Sequence, residues 1–448
     1  MARVAVETVD AGLLAARDGV LSAPSPGLAL LDPAGLLTGS EAAAQERLKP
    51  VFAFDRFWTD LSADALPRPL PYARSRADLA YAHLSQVWAV AAQPGDEALF
   101  AVPGSMRPRE LGLLAGIAAA AGIPVAGFVD AAVAACAPLE AGETVLCLDV
   151  QLHQSVLTEL HGAETLARRR VEVAPRVGLK ALRAAWAQLV SEAMVRRTRY
   201  DPQHHAASEQ QLYDRLPQWL TVLSGSEVAD VEVEASSGRF GVSLRREQFV
   251  LAAEAYYTQL VDLVHAARRA GEAVTVALSA RAAALPGLAD RCSALGDVAV
   301  AVLAEGAAPF GALAAADEVT AAGTTALVTQ LRRTRPVSPV ARPAQRPRRA
   351  APTHVVYGGR AHAITAEPLA LGRVEAGPRS LVLAGPAAGV SATHCVLVRE
   401  GDAVLVHDRS RYGTFVNGER VVQSAPLAAG DRLRIGTPGV ILELVAAG

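Results

Sequence analysis

Residues 331–352 read LRRTRPVSPVARPAQRPRRAAP, with seven arginines, five prolines and no acid. No core can form from such a stretch. The prolines break helices and central strands, and the like charges repel. The segment is therefore expected to be an extended linker, which divides the chain into residues 1–330 and 353–448. A basic patch for nucleic acid or anionic lipid is the other reading of so much arginine. No aromatic residue is interleaved for base stacking, so nucleic acid is not expected as a partner.

Two such regions, within 448 residues that are 51% hydrophobic, have ample material for separate cores. The net charge of −2 gives no global attraction to polyanions. Cys136, Cys147, Cys292 and Cys395 are far apart, and no CxxC or Cys/His spacing occurs. Zinc and a disulfide framework are not expected, and buried free thiols are. The N-terminal residues lack a charged-then-apolar signal. Gly and Pro interrupt the most apolar stretch, residues 115–128, before membrane-spanning length. The expectation is a soluble cytoplasmic protein with no membrane association.

Beyond the linker the pattern is all-β. CVLVRE and AVLVHD alternate with period two about a Gly401-Asp402 turn. DRLRIG and VILELV read as further strands. In DRSRYGTFVNGERV (408–421), Asn417-Gly418 is a hairpin signal, because a type I′ turn needs two residues that tolerate positive φ. Many short strands with Gly/Pro turns predict a sandwich.

Before the linker, strands and helices alternate. RVAVETVD with GLLAARDGVL, and ETVLCLDV with SVLTELHGA, are two hairpin starts that predict an internally duplicated α/β fold. RADLAYAHLSQVWAVA has helical periodicity through Leu79, His83 and Val87. Residues 182–195 predict a core helix. REQFVLAAEAYYTQLVDLVHAARRAG predicts one long amphipathic helix. Tyr213, Leu216, Trp219 and Leu220 would form the apolar face of another.

Residues 353–448 resemble the forkhead-associated (FHA) domain. The matching residues are Gly372-Arg373, Ser391 and His394 in VSATH, DRSRYGTFVNG, and AGDRLRIG. The resemblance implies an eleven-stranded β-sandwich that binds phosphothreonine peptides with loops at one end. It implies that Arg373 and Ser391 contact the phosphate and that His394 buttresses the loops. Arg411, Tyr412, Thr414 and Asn417 would complete the peptide-binding set. A planar guanidinium suits phosphate oxygens, and each charge-assisted hydrogen bond contributes about 1.5–3 kcal/mol. Two positions depart from the family. Ala392 stands where a polar residue is usual, and Tyr412 replaces the Asn that grips the peptide backbone, with Arg411 beside it as electrostatic compensation.

Residues 1–330 resemble the superfamily of actin, sugar kinases and DnaK-type heat-shock chaperone ATPases. GLALLDPAGLLTGSEAAAQ, FAVPGSMRPRELGLLAGIAAAAGIPVAGFVDAAVAA, SLRREQF, TVALSARAAALPGL and FGALAAA carry the likeness, in the family's order. The implied fold is a two-lobed, internally duplicated α/β domain. Its phosphate turns need glycine so that main-chain N–H groups can approach the ligand. Here the first turn is Glu7-Thr8-Val9-Asp10-Ala11-Gly12, and Asp149 is followed by Val150-Gln151-Leu152-His153-Gln154. Asp10 would repel a triphosphate. Ser279-Ala280 replaces the adenosine-site glycine pair, with Pro286 and Gly287 kept, and Asp55 stands for the catalytic lysine. Glu7, Asp10, Asp149, His153, Gln154 and Ser279 thus form a degenerate nucleotide site. No catalytic residue and no cofactor is expected. The alternative is ATP with Mg²⁺ held through water by Glu7 and Asp149. His153, His204 and His205 lack ligand spacing for a metal.

The expected function is a non-enzymatic phosphothreonine-dependent signalling adaptor or scaffold. The rival is an ATP-binding, chaperone-like protein recruited to phosphoproteins by its FHA domain. The linker adds Thr334 within RRTRP and Ser338 before Pro339. A phosphorylated Thr334 would meet the chain's own reader at high effective concentration.

Overall fold

The computed structural model describes residues 2–446 apart from 236–237, 270–271, 325, 335–350, 384–388, 402, 418 and 437–438. Ser338, most of the linker, Asp402 and Gly418 therefore lie outside the described residues. The chain divides into two compact units, Met1–Leu260 with Thr275–Val340, and Val261–Val274 with Ala341–Gly448.

The N-terminal unit holds two sheets with the same plan. In the first, Arg3–Val9 pairs antiparallel with Gly12–Arg17, which pairs antiparallel with Val20–Leu21. On its other side Arg3–Val9 runs parallel to Glu97–Val102, followed by Val125–Asp130 and Leu327–Val328. In the second, Thr144–Val150 pairs antiparallel with Gln154–His161, and that strand with Thr165–Pro175. Its other edge runs parallel to Val274–Leu278, with Val298–Val302 beyond. Each sheet thus opens as a tight meander and continues through helical crossovers, which parallel strands require.

Strand alternation builds the cores. Val4, Val6, Ala98, Phe100 and Val102 join one cluster, and Ala5, Leu99 and Ala101 join another. The first sheet is therefore buried on both faces, as its nearly continuous apolar strands require. Helix Arg76–Ala91 starts at a capping box, in which Ser75 and Asp78 satisfy each other's backbone donors. Leu79, His83 and Val87 fall four residues apart and are all buried. Helix Leu179–Thr198 buries Leu182, Trp186, Val190 and Met194. Helix Ala206–Gly225 buries Leu216, Trp219 and Leu220, with Leu212 and Leu223 extending the stripe and Tyr213 half-buried.

Two expectations need correction. The single helix expected from Arg246 onward is two, Arg246–Ala252 and Glu254–Ala267, separated at the buried Ala253. Phe249 and Tyr257, fully buried, anchor one each. The linker also begins later than its composition implies. Gln330–Arg332 is a strand paired with Thr165–Ala167, and Leu331 is fully buried. Arg333 then donates to the carbonyls of Ala141 and Gly142. One apolar side chain and a free sheet edge outweigh the local charge run there.

The C-terminal unit is a β-sandwich. One sheet has six strands, in the order Arg360–Ala363, His354–Tyr357, Val440–Val445, Arg432–Ile435, Thr414–Val416 and Glu419–Arg420. The other has five, in the order Ser380–Val382, Leu369–Gly372, Cys395–Glu400, Ala403–Asp408 and Ser424–Leu427. The inward residues, among them Leu371, Leu397, Val406, Leu433 and Leu442, are fully buried in one core. All four cysteines are free and buried. Among the described residues no helix is long and apolar enough to cross a membrane.

Candidate functional sites

The two antiparallel hairpins of the N-terminal unit bring their turns together. Asp10, at the tip of the first, is almost fully buried. Its carboxylate accepts the backbone N–H groups of Leu152 at 2.6 Å and His153 at 3.0 Å, and the Thr59 hydroxyl at 3.0 Å. The carboxylate thus fills the main-chain donor pair that the second turn presents. Burial raises the Asp10 carboxyl above its ordinary range, although these hydrogen bonds oppose that. The sequence suggests only that Asp10 would repel a triphosphate; its oxygens sit on the N–H groups of the second turn.

Glu7 and Asp149, the two acids at the hairpin starts, are cross-linked by Arg281. Its Nη2 lies 2.7 Å from Glu7 Oε1 and 3.0 Å from both Asp149 oxygens, and its Nε lies 3.1 Å from Asp149 Oδ1. Burial pushes the Asp149 carboxyl up, but the Arg281 charge and its hydrogen bonds prevail and hold it below the usual range. Ser279 caps the short helix that carries Arg281, accepting the Ala282 N–H at 3.2 Å.

The other positions singled out in the sequence are also paired. Asp55 forms an ion pair with Lys180, and His153 Nε2 lies 3.4 Å from its carboxylate and 3.0 Å from its carbonyl. Burial opposes ionisation of Asp55, but the His153 and Lys180 contacts hold its carboxyl well below the usual range. Gln154 contacts Gln151 at 3.3 Å and Ser105 at 3.5 Å. These residues do not fit Mg²⁺ and a polyphosphate, because a guanidinium occupies the space between the two acids and a carboxylate the donor pair. Among the described residues no cluster of three or more His, Cys, Asp or Glu could hold a metal ion. His204 and His205 stack edge to face on each other, and His153 faces Asp55 instead.

Ser25 and His83 form a pair that resembles a nucleophile and base, with Oγ and Nε2 2.8 Å apart. The third partner decides its meaning. Trp58 Nε1–H donates to His83 Nδ1 at 3.0 Å, so Nε2 carries the ring proton and donates to Ser25. His83 is fully buried, and burial lowers its pKa to about 4. It is a neutral strut rather than a general base.

At one end of the sandwich, Gly372 lets two chain segments meet. A Cβ there would come within 2.0 Å of the Ala392 carbonyl oxygen. Arg373 and Val374 consequently donate backbone N–H groups to Ser391 and Ala392, each at 3.2 Å. Ser391 Oγ accepts the Arg411 N–H at 3.2 Å, which leaves its hydroxyl proton for an outside acceptor. His394, fully buried, ties the loops together. Its Nδ1 accepts the Ser391 N–H, and its Nε2–H donates to the Gly413 carbonyl, both at 3.0 Å. Burial lowers the His394 pKa, while the Gly413 contact and Asp408 act against this.

Arg373, Arg409, Arg411 and Tyr412 are exposed around Ser391. None of the three arginine side chains makes a hydrogen bond or ion pair with a described residue. Two expected members of the peptide-contacting set are committed elsewhere. Thr414 is fully buried and donates to Asp408 at 2.8 Å. Asn417, with φ of 51°, binds inward through both ends of its amide, to Asp431 and to the Arg432 N–H, each at 2.9 Å. Both shape the loop from behind.

The sequence reading missed Asp408, Ser410 and Arg281. Asp408 accepts from the Ser410 N–H at 3.1 Å, and Ser410 Oγ accepts the Gly413 N–H at 2.7 Å. Asp-x-Ser ahead of a glycine is a turn signal that could have found the first two. Nothing local marks Arg281, whose partner Glu7 is 274 residues away.

A search of curated proteins finds no match to the chain. Residues 370–436 match the family model of the FHA domain. That segment contains Gly372, Arg373, Ser391, His394 and residues 408–418, so the C-terminal β-sandwich of this chain carries an FHA domain.

Proposed function

We propose that the protein is a non-enzymatic, phosphothreonine-dependent adaptor or scaffold. The observation that carries this reading is the FHA match at residues 370–436 together with Arg373 and Arg411 around Ser391, both unpaired among the described residues. A phosphate seated there gains a guanidinium fork, a hydroxyl donor and a second cation at no internal cost, since no described carboxylate has to give them up. Phosphothreonine-containing proteins are the partners. Tyr412 offers an aromatic face where an amide is usual, so peptide affinity rests mainly on the phosphate and on apolar contact.

The N-terminal unit is, in this proposal, an actin-like, DnaK-type fold that has lost its ATPase. Support comes from the repeated plan of its two sheets and from the internal pairing of every acid expected to serve the nucleotide. It would act as a rigid body that presents or spaces the reader.

Calorimetry of the full chain tests the main reading. A phosphothreonine peptide library should yield binders that lose affinity when dephosphorylated or changed to phosphoserine. Equal binding of plain and phosphorylated forms would leave a purely structural assembly protein. ATP with Mg²⁺ separates the enzymatic rival. A ligand at a hundredfold excess over its Kd adds about 2.7 kcal/mol of stability, and none is expected here. Turnover abolished by Asp149→Ala would establish the rival instead.

A further inference from the structure

A cavity of about 640 Å³ opens beside the hairpin turns of the N-terminal unit. That volume suits a small molecule. Its wall is largely apolar, with Leu14, Leu28, Leu179 and Ala284 among its residues. Four cations also line it, and three are engaged. Arg281 holds Glu7 and Asp149, and Lys180 holds Asp55. Arg47 stacks 3.8 Å over the Tyr213 ring and lies 3.5 Å from Glu209 and 3.8 Å from Glu46.

Arg183 is different. It sits one turn beyond Lys180 on helix Leu179–Thr198 and is only partly exposed. It makes no hydrogen bond or ion pair with a described residue. Burial lowers its pKa, with only the more distant Glu46 and Tyr213 acting against this. Arg183 lines the cavity, so its guanidinium is open to a ligand there without the breaking of an internal pair. Of the carboxylates on the wall, Glu305 is exposed to solvent and the rest have cationic neighbours.

We propose that this cavity binds a small amphipathic anion, with its apolar body against the Leu14, Leu28 and Leu179 wall and its single acidic group, a carboxylate or a phosphate monoester, on Arg183. A polyphosphate is excluded by the same geometry. Its further phosphates would meet Glu7 and Asp149 on the wall, two carboxylates that share the single Arg281 guanidinium and so keep a net negative charge. The inference is independent of peptide reading at the other unit.

The test uses the full chain and two fluorescent probes of similar shape, 8-anilinonaphthalene-1-sulfonate and the uncharged N-phenyl-1-naphthylamine. The anionic probe should bind saturably and weaken about tenfold or more in Arg183→Met, the loss of one charge-assisted contact. Arg183→Lys should retain most of the affinity. The uncharged probe should bind wild type and Arg183→Met alike, which also reports that the cavity is intact. Displacement of the anionic probe by AMP points to a phosphate monoester, and displacement by 1-naphthoate to a carboxylate. Unchanged binding of the anionic probe to Arg183→Met overturns the proposal. So does an equal loss for both probes, which would assign Arg183 to packing. Stronger displacement by ATP with Mg²⁺ than by AMP overturns the exclusion of polyphosphates.

Discussion

The loop end of the FHA domain and the hairpin cleft of the N-terminal unit are both built around arginine, and they treat it in opposite ways. At the loop end, Arg373 and Arg411 are exposed and unpaired among the described residues, while the residues behind them are tied together: His394 joins two loops, and Asp408 organises a third. In the cleft, Arg281 is consumed by Glu7 and Asp149, and a carboxylate takes the backbone donors of the second turn. The chemistry of the groups is the same. What differs is whether the fold has already supplied their counter-charge. A pre-organised donor without an internal partner is available to a ligand, whereas one with a partner must first break that pair.

The largest test of this contrast is Arg281→Met. Without the guanidinium, Glu7 and Asp149 face each other as partly buried carboxylates. Breaking such a pair is expected to cost the N-terminal unit about 3 kcal/mol at neutral pH, read as a lower unfolding midpoint, with phosphopeptide affinity unchanged. The acid limb gives the sign. The folded pKa of Asp149 is lowered, so its contribution is present above the unfolded value and is lost as the pH falls through the folded one. In Arg281→Met that acid-side loss should disappear. An unaltered midpoint would mean that the pair does not hold the turns together.

His83 offers a second test from the same side. Its folded pKa of about 4 lies below the ordinary 6.5. Its stabilisation is therefore complete above 6.5 and is lost as the pH falls from 6.5 toward 4, by up to about 3 kcal/mol. His83→Gln should flatten the pH dependence of the N-terminal transition over that range, at the cost of some stability at pH 7. An unchanged slope would show that the ring takes up a proton without penalty.

At the loop end, Arg373→Ala should cost about 2 kcal/mol of phosphopeptide binding and erase the preference over the unphosphorylated peptide, with the unfolding midpoint unmoved. His394→Ala should do the reverse, lowering stability more than specificity. If Arg373→Ala unfolds the domain, the arginine belongs with the supporting residues and the contrast fails.

The smallest expected effect concerns Thr334, which is exposed just after the last strand of the N-terminal unit. Phosphorylated on its tether, it should compete with an outside phosphothreonine peptide at a local concentration in roughly the millimolar range and weaken peptide binding several-fold. After kinase treatment, a Thr334→Ala variant should bind a labelled peptide more tightly than wild type. Equal binding would remove the switch.

Several layers of this protein follow from sequence alone, because they depend on neighbours along the chain. Period-two alternation locates CVLVRE and AVLVHD. Asn417 marks its turn because it tolerates positive φ. Leu79, His83 and Val87 mark a buried helix face. Spaced motifs identify the FHA domain. The tertiary structure decided what each polar residue is for, because electrostatic pairing depends on distance in space. Asp10 finds its backbone donors 142 and 143 residues away and Arg281 finds Glu7 274 residues away. Thr414 and Asn417 turn inward only because Asp408 and Asp431 wait behind them. Leu331 leaves a charged linker for a sheet edge that the linker's own composition cannot reveal. Local pattern fixes which residues are strand, helix or turn; whether a charge is spent or free is settled only when the chain closes around it.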